Sequence, residues 1–268
     1  MEKKQRIVVK VGTSTLTHDS GNLDLRSMEH LVRTLSDLSG MGHEIILVTS
    51  GAIAVGTAKL GLPERPKELR MKQATAAVGQ CRMMHLYDKL FSEYNRSMAQ
   101  ILLTGDDVEE EDRAMHLRST FSALLEMGVI PVVNENDSVS SAEIETGHHK
   151  VLGDNDTLSA IVARLCNADL LVLMSDINGL YDADPKTHPD AKLLHHVHEI
   201  TPEILEMAGG AGSWRGTGGM ATKLTAARIA MESGCDMVIT NGARMKDMYD
   251  IVAGGNIGTR FAAKKGVE

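Results

Sequence analysis

Lys10 interrupts an apolar run, Ile7–Val11 (IVVKV), and stands two residues before Gly12. An ammonium at the end of a buried strand is costly unless an anion meets it, and a glycine lets backbone N–H groups approach that anion closely. A phosphate is the natural guest. Lys223 closes the glycine-rich run Gly209–Lys223 (GGAGSWRGTGGMATK) just where a helical pattern begins. A glycine loop ending in a lysine at a helix start suits the β- and γ-phosphates of a nucleotide. Between them in sequence, Gly153–Ala160 (GDNDTLSA) places Asp154, Asn155 and Asp156 in the first turn of an amphipathic helix. One of the three serves as a cap, and three exceed what capping needs. The same helix start could hold an ammonium through Asp154 and a carboxylate through its N–H groups, a pairing that fits an amino-acid zwitterion. Asp137 adds a further carboxylate, and Ser50-Gly51 offers a hydroxyl and N–H groups for a carboxylate or phosphate.

Competing motifs fail on context. Gly216–Ala221 formally spells GxGxxA, but no strand precedes it, and no GxxxxGK[ST] occurs. The histidines at 148, 149, 195, 196 and 198 are joined by no cysteine or carboxylate cluster, so no protein-ligated metal is expected. Cys81, Cys166 and Cys235 show no CxxC spacing and read as structural thiols of a reducing compartment.

These residues need elements to position them. Apolar runs recur at Ile7–Val11, Ile45–Thr49, Met98–Thr104, Val129–Asn134, Leu170–Ser175 and Met237–Asn241, separated by stretches of helical spacing such as Met28, Leu31, Val32, Leu35 and Leu38. That rhythm predicts an α/β fold with a mainly parallel sheet and helices on both faces. Such sheets bind ligands beyond the carboxyl ends of their strands. The segments there, KVGTS, TSGAI, NENDSV and SDINGLY, are small, polar or glycine-rich. No linker or repeat divides the 268 residues, so a single domain is expected.

Composition excludes several classes. With 28 Lys plus Arg against 36 Asp plus Glu, the net charge of −8 opposes broad adhesion to nucleic acid or membranes. Aromatics, at 3%, are too few for base-stacking platforms, and no stretch is long and apolar enough to span a bilayer. A cytoplasmic protein is expected.

Taken in order, VKVGTS, VTSGAI, NENDSV, GDND.LSA, SDINGLY..DP and GTGGMATK resemble the amino acid kinase family across nearly the whole chain. The resemblance implies a three-layer αβα sandwich that moves the γ-phosphoryl of ATP, with Mg2+, onto the γ-carboxylate of L-glutamate, the first step toward proline. It implies inhibition by proline, and a homo-oligomer is the expected assembly. The part from about 1 to 165 would serve the acceptor and the part from about 166 to 268 the nucleotide, without the C-terminal PUA domain that many relatives carry. By matching motifs, Lys10 and Lys223 would stabilise the transferring phosphoryl and Asp156 would organise both lysines. Ser50, Asp137 and Asn155, helped by Asn134 and Asp154, would bind glutamate. Lys10, Ser175, Asp176, Thr217, Gly218, Gly219, Met220, Ala221, Thr222 and Lys223 would line the ATP site. Ser175 stands where the family often has Thr; the hydroxyl is kept.

Overall fold

The computed structural model describes residues 3–139, 154–185, 187–207 and 219–263. Its strands are β1 (Arg6–Val11), β2 (Glu44–Val48), β3 (Met98–Leu103), β4 (Ile130–Glu135), β5 (Leu170–Ser175), β6 (His196–Val197), β7 (Asp236–Asn241) and β8 (Thr259–Phe261). All six apolar runs of the sequence become strands, with ends within one residue of expectation. The two very short strands, β6 and β8, carry no such signal. The chain forms two compact units, one of residues 11–153 and one of residues 1–10 with 154–268.

In the unit of residues 11–153 the strands lie in the order β3-β4-β2, all parallel, with Leu47 opposite Val132 and Ile101 opposite Val133. The helix Leu25–Gly40 turns Met28, Leu31, Val32, Leu35 and Leu38 into the core. Asp24 starts it by accepting from the N–H groups of Arg26 and Ser27. Helices Ala52–Lys59 and Leu69–Glu93 meet backbone to backbone. A Cβ on Gly79 would lie 1.8 Å from the Ala52 carbonyl oxygen, and one on Gly56 would lie 2.0 Å from that of Thr75. Only glycine allows the two helices this approach.

In the other unit the order is β1-β5-β7-β8-β6. β5 is buried along its whole length, as expected of a strand covered on both faces. It pairs parallel with β7 from Leu170 opposite Asp236 to Ser175 opposite Asn241. β8 runs antiparallel to β7, and β6 parallel to β8, so the sheet is mainly rather than wholly parallel. Helix Asn155–Leu165, with Leu158, Val162 and Leu165 buried, packs against helix Met220–Glu232 and strand β5. Among the described residues no helix is long and apolar enough to cross a membrane.

Candidate active site

In the unit of residues 1–10 and 154–268, Asp156 is the centre of an ion cluster. Its Oδ1 lies 2.6 Å from Lys10 Nζ, and its Oδ2 lies 3.0 Å from Lys223 Nζ. Three elements supply the groups: the carboxyl end of β1, the first turn of helix Asn155–Leu165 and the first turn of helix Met220–Glu232. All three side chains are buried or nearly so, with Asp156 only 1% exposed. Burial alone would raise the Asp156 carboxyl, but the neighbouring ammoniums, Lys10 before Lys223, outweigh it and hold the group below the usual carboxylate range. Thr222 reinforces the arrangement by donating its hydroxyl to Asp156 Oδ2 at 3.2 Å.

Asp154 caps the helix that carries Asp156, its Oδ1 accepting from the N–H of Asp156 at 2.7 Å and of Thr157 at 3.0 Å. Its Oδ2 accepts from the Thr157 hydroxyl at 3.3 Å, so both oxygens serve the helix start, and the cap fixes the turn that aims Asp156. Asn155 is half-buried beside it. At the carboxyl end of β5, Ser175 donates its hydroxyl to exposed Asp176 at 3.0 Å. Gly219, Met220 and Ala221 open helix Met220–Glu232, while Thr217 and Gly218 lie outside the described residues, as do Trp214 and the histidines at 148 and 149.

The unit of residues 11–153 gathers a different set. β2 ends at Val48, and Ser50 and Gly51 follow as the turn into helix Ala52–Lys59. Gly51 adopts φ of 98°, a left-handed conformation that favours glycine. The Ser50 hydroxyl donates to the Val11 carbonyl at 3.2 Å and meets the Thr13 hydroxyl at 3.2 Å, so the loops after β1 and β2 present two hydroxyls together. Thr13 was not among the expected site residues, though its position in KVGTS offered the signal. Asn134, 1% exposed near the end of β4, donates its amide to Gln80 Oε1 at 2.9 Å. Gln80 lies on helix Leu69–Glu93 and carries no motif that sequence reading could find.

Asp137 follows β4 and is half-buried. Burial first, then the charge of Glu135, push its carboxyl up to about 6, against the opposing pull of Arg65. A carboxylate poised this way gains most from an arriving cation. Cys235 offers no nucleophile: it is buried, with its thiol raised to about 12 by burial and then by Asp236 and Asp169.

Comparison with known proteins identifies the family. The profile of the amino acid kinase family matches residues 5–241. The glutamate 5-kinase of Clostridium perfringens (strain 13 / Type A) is 54% identical over 266 residues, covering 99% of this chain and 98% of that protein. The glutamate 5-kinase of Clostridium tetani (strain Massachusetts / E88) is 52% identical over 261 residues, covering 97% and 96% respectively. Among solved structures, the carbamate kinase of Giardia lamblia bound to AMP-PNP shares the fold with a TM-score of 0.68 at 16% identity, over 98% of this chain and 100% of that one.

Proposed function

The chain belongs to the amino acid kinase family, and on that premise we propose that it transfers the γ-phosphoryl group of ATP to the γ-carboxylate of L-glutamate, giving γ-glutamyl phosphate and ADP. The observation that carries the reading is the buried cluster of Lys10, Asp156 and Lys223. A carboxylate oxygen of glutamate attacks the γ-phosphorus as the bond to the β-phosphate oxygen breaks. The electron pair leaves with ADP. Because a carboxylate is ionised at neutral pH, the acceptor needs no general base. The difficulty is electrostatic: one anion attacks another, and charge spreads over the equatorial oxygens in the transition state. Two fixed ammoniums in a site of low polarity meet that charge without reorganising.

The cluster carries two positive charges and one negative, so it keeps a net positive charge to offer phosphate. Ser175, Asp176, Thr217, Gly218, Gly219, Met220, Ala221 and Thr222 are assigned with the lysines to ATP. Magnesium would enter as the nucleotide complex, with phosphate oxygens and water as its ligands, the usual habit of this ion. Both oxygens of Asp156 face ammoniums, and among the described residues no three His, Cys, Asp or Glu side chains gather as a metal-binding set. Bound magnesium supplies charge neutralisation on the phosphates.

Ser50, Asn134 and Asp137 are assigned to glutamate, as are Asp154 and Asn155. The ammonium of glutamate suits Asp137, whose raised carboxyl is relieved by a cation. Proline shares the α-carboxylate and α-nitrogen but lacks the reacting carboxylate. It would therefore compete for the same contacts in a cytoplasmic biosynthetic enzyme.

Incubation with ATP, magnesium and hydroxylamine tests the reading, because hydroxylamine traps an acyl phosphate as hydroxamate. Glutamate should give product and N-acetylglutamate very little, since acetylation removes the charge that Asp137 meets; losing such a contact costs about 2–5 kcal/mol. Equal turnover of the two acceptors would overturn the assignment.

A further inference from the structure

We propose that Gln80 is a positioning residue for the acceptor site, acting through Asn134 to fix which end of that amide meets glutamate. The inference rests on the assignment of Asn134 to glutamate. Gln80 sits in the middle of helix Leu69–Glu93, where an apolar side chain would pack most simply, yet its amide is buried with 7% exposure. Its Oε1 accepts from Asn134 Nδ2 at 2.9 Å. Its own Nε2 is buried and finds no hydrogen-bond partner among the described residues. A buried amide that satisfies a neighbour while one of its own groups goes unmet is a poor choice for stability. It is a sound choice for orienting Asn134.

The helix backbone is held for this task. Gly79, next to Gln80, presses against the backbone of Ala52 and Gly56 so closely that a Cβ would lie 2.6 Å from the Gly56 nitrogen. The Gln80 backbone is thereby tied to the start of the helix that Ser50 and Gly51 introduce. With Nδ2 donating to Gln80, the Asn134 amide is held in one of its two orientations, and under its assignment to glutamate the carbonyl oxygen is the group that would meet ligand donors. An ammonium is matched and a carboxylate is not. Gln80 thus sets acceptor specificity at one remove, with no contact to substrate.

The test is steady-state kinetics on Gln80→Met, Gln80→Glu, Asn134→Ala and the double variant Gln80→Met/Asn134→Ala. Gln80→Met removes the acceptor oxygen and should raise the glutamate KM roughly three- to tenfold, with kcat and the ATP KM within about twofold of the parent. Gln80→Glu keeps the shape of the side chain and acceptor oxygens only and should hold the glutamate KM within about threefold, so its contrast with Gln80→Met, which keeps similar bulk, isolates the acceptor oxygen from a purely steric role. The double variant should match Asn134→Ala alone, because Gln80 acts through Asn134. Additive KM effects in the double variant would overturn the proposal, as would an unchanged KM in Gln80→Met when Asn134→Ala raises it. If Gln80→Met does not fold, a rise of more than about tenfold in the Gln80→Glu variant does the same. An unchanged KM in Asn134→Ala removes the underlying assignment of Asn134, and this inference with it.

Discussion

Replacing Asp156 by Asn should damage stability and turnover together, and a second substitution should separate the two. At an effective dielectric of about 20, the contacts of 2.6 Å to Lys10 and 3.0 Å to Lys223 each correspond to roughly 5–6 kcal/mol of gross attraction. Most of that offsets the cost of taking the ions out of water, but removing the shared anion leaves two buried ammoniums facing each other. Breaking a buried pair from one side costs about 3–5 kcal/mol. In a chain of this size that is a fall in Tm of roughly 6–20 °C. The kcat should drop about 10²–10³-fold, the scale for losing one transition-state electrostatic contact, because an Asn oxygen can hold only one of the two lysines in place. The folded Asp156 carboxyl ionises below its ordinary range, so its contribution is whole above about pH 4 and fades only as pH falls through the lowered value. Melting curves of parent and variant should therefore converge only in acid. In the double variant Asp156→Asn/Lys10→Met one uncompensated charge is gone, so melting temperature should recover partway while turnover stays lost. Calorimetry and the hydroxamate assay read the two effects. A double variant no more stable than Asp156→Asn, or an Asp156→Asn enzyme within tenfold of parental kcat, would refute an electrostatic role for the cluster.

The remaining predictions concern the individual lysines, the acceptor carboxylate and the helix contact. Lys10→Ala and Lys223→Ala should each lower kcat by about 10²–10³-fold with the fold intact; near-normal turnover in either variant would show that its ammonium does not act on the transition state. Asp137, raised to about 6 by burial and Glu135, should make the glutamate KM fall as pH rises through that value. Asp137→Asn should raise the KM and erase the inflection, and a parental inflection surviving in the variant would assign it to another group. The same raised value means that Asp137 contributes stability below its unfolded range, near pH 4, which is lost as pH rises through about 6. Gly79→Ala puts a methyl 1.8 Å from the Ala52 carbonyl oxygen and should destabilise by about 3 kcal/mol or more. An unchanged melting temperature would mean that the two helices do not meet as described.

The residues most legible in the sequence were those that violated local expectation. Lys10 stands out because it breaks an otherwise apolar strand, and Asp156 because three polar residues crowd one helix start where one would do. The strands were legible for a related reason: a run such as Leu170–Ser175, buried on both faces, has no polar alternation to confuse it. Helix Leu69–Glu93 was harder. Its buried residues before Met83 are Thr75, Ala76, Gly79 and Gln80, so only its second half, with Met83, Met84, Tyr87 and Phe91, carries an apolar periodicity, and the packing of its first half depends on glycines whose importance lies in what they lack. The partnership of Gln80 with Asn134 joins residues separated by 54 positions. Neither residue type alone distinguishes an oriented amide from a surface one. β6 and β8, of two and three residues, are too short for any pattern to form; β8 pairs on the edge that β7 offers, and β6 on β8 in turn.

The ion cluster also explains why this chemistry can use lysines at buried positions. Each ammonium taken from water without an anion carries a large desolvation cost, and two of them beside each other would also repel. A fixed counter-ion between them removes both objections while leaving the cluster net positive. The carboxylate must be shared, since two private partners would cancel the charge that phosphate is meant to meet. It must also be held, because a mobile carboxylate could swing toward one lysine and release the other. Asp154 meets that need by capping the turn through the Asp156 N–H, and Thr222 by donating to Oδ2. The acidic residues that crowd this helix start therefore divide their work: one sets the backbone and the next sets the charge. Neither need take a proton from the substrate, and that is consistent with an acceptor that arrives already ionised.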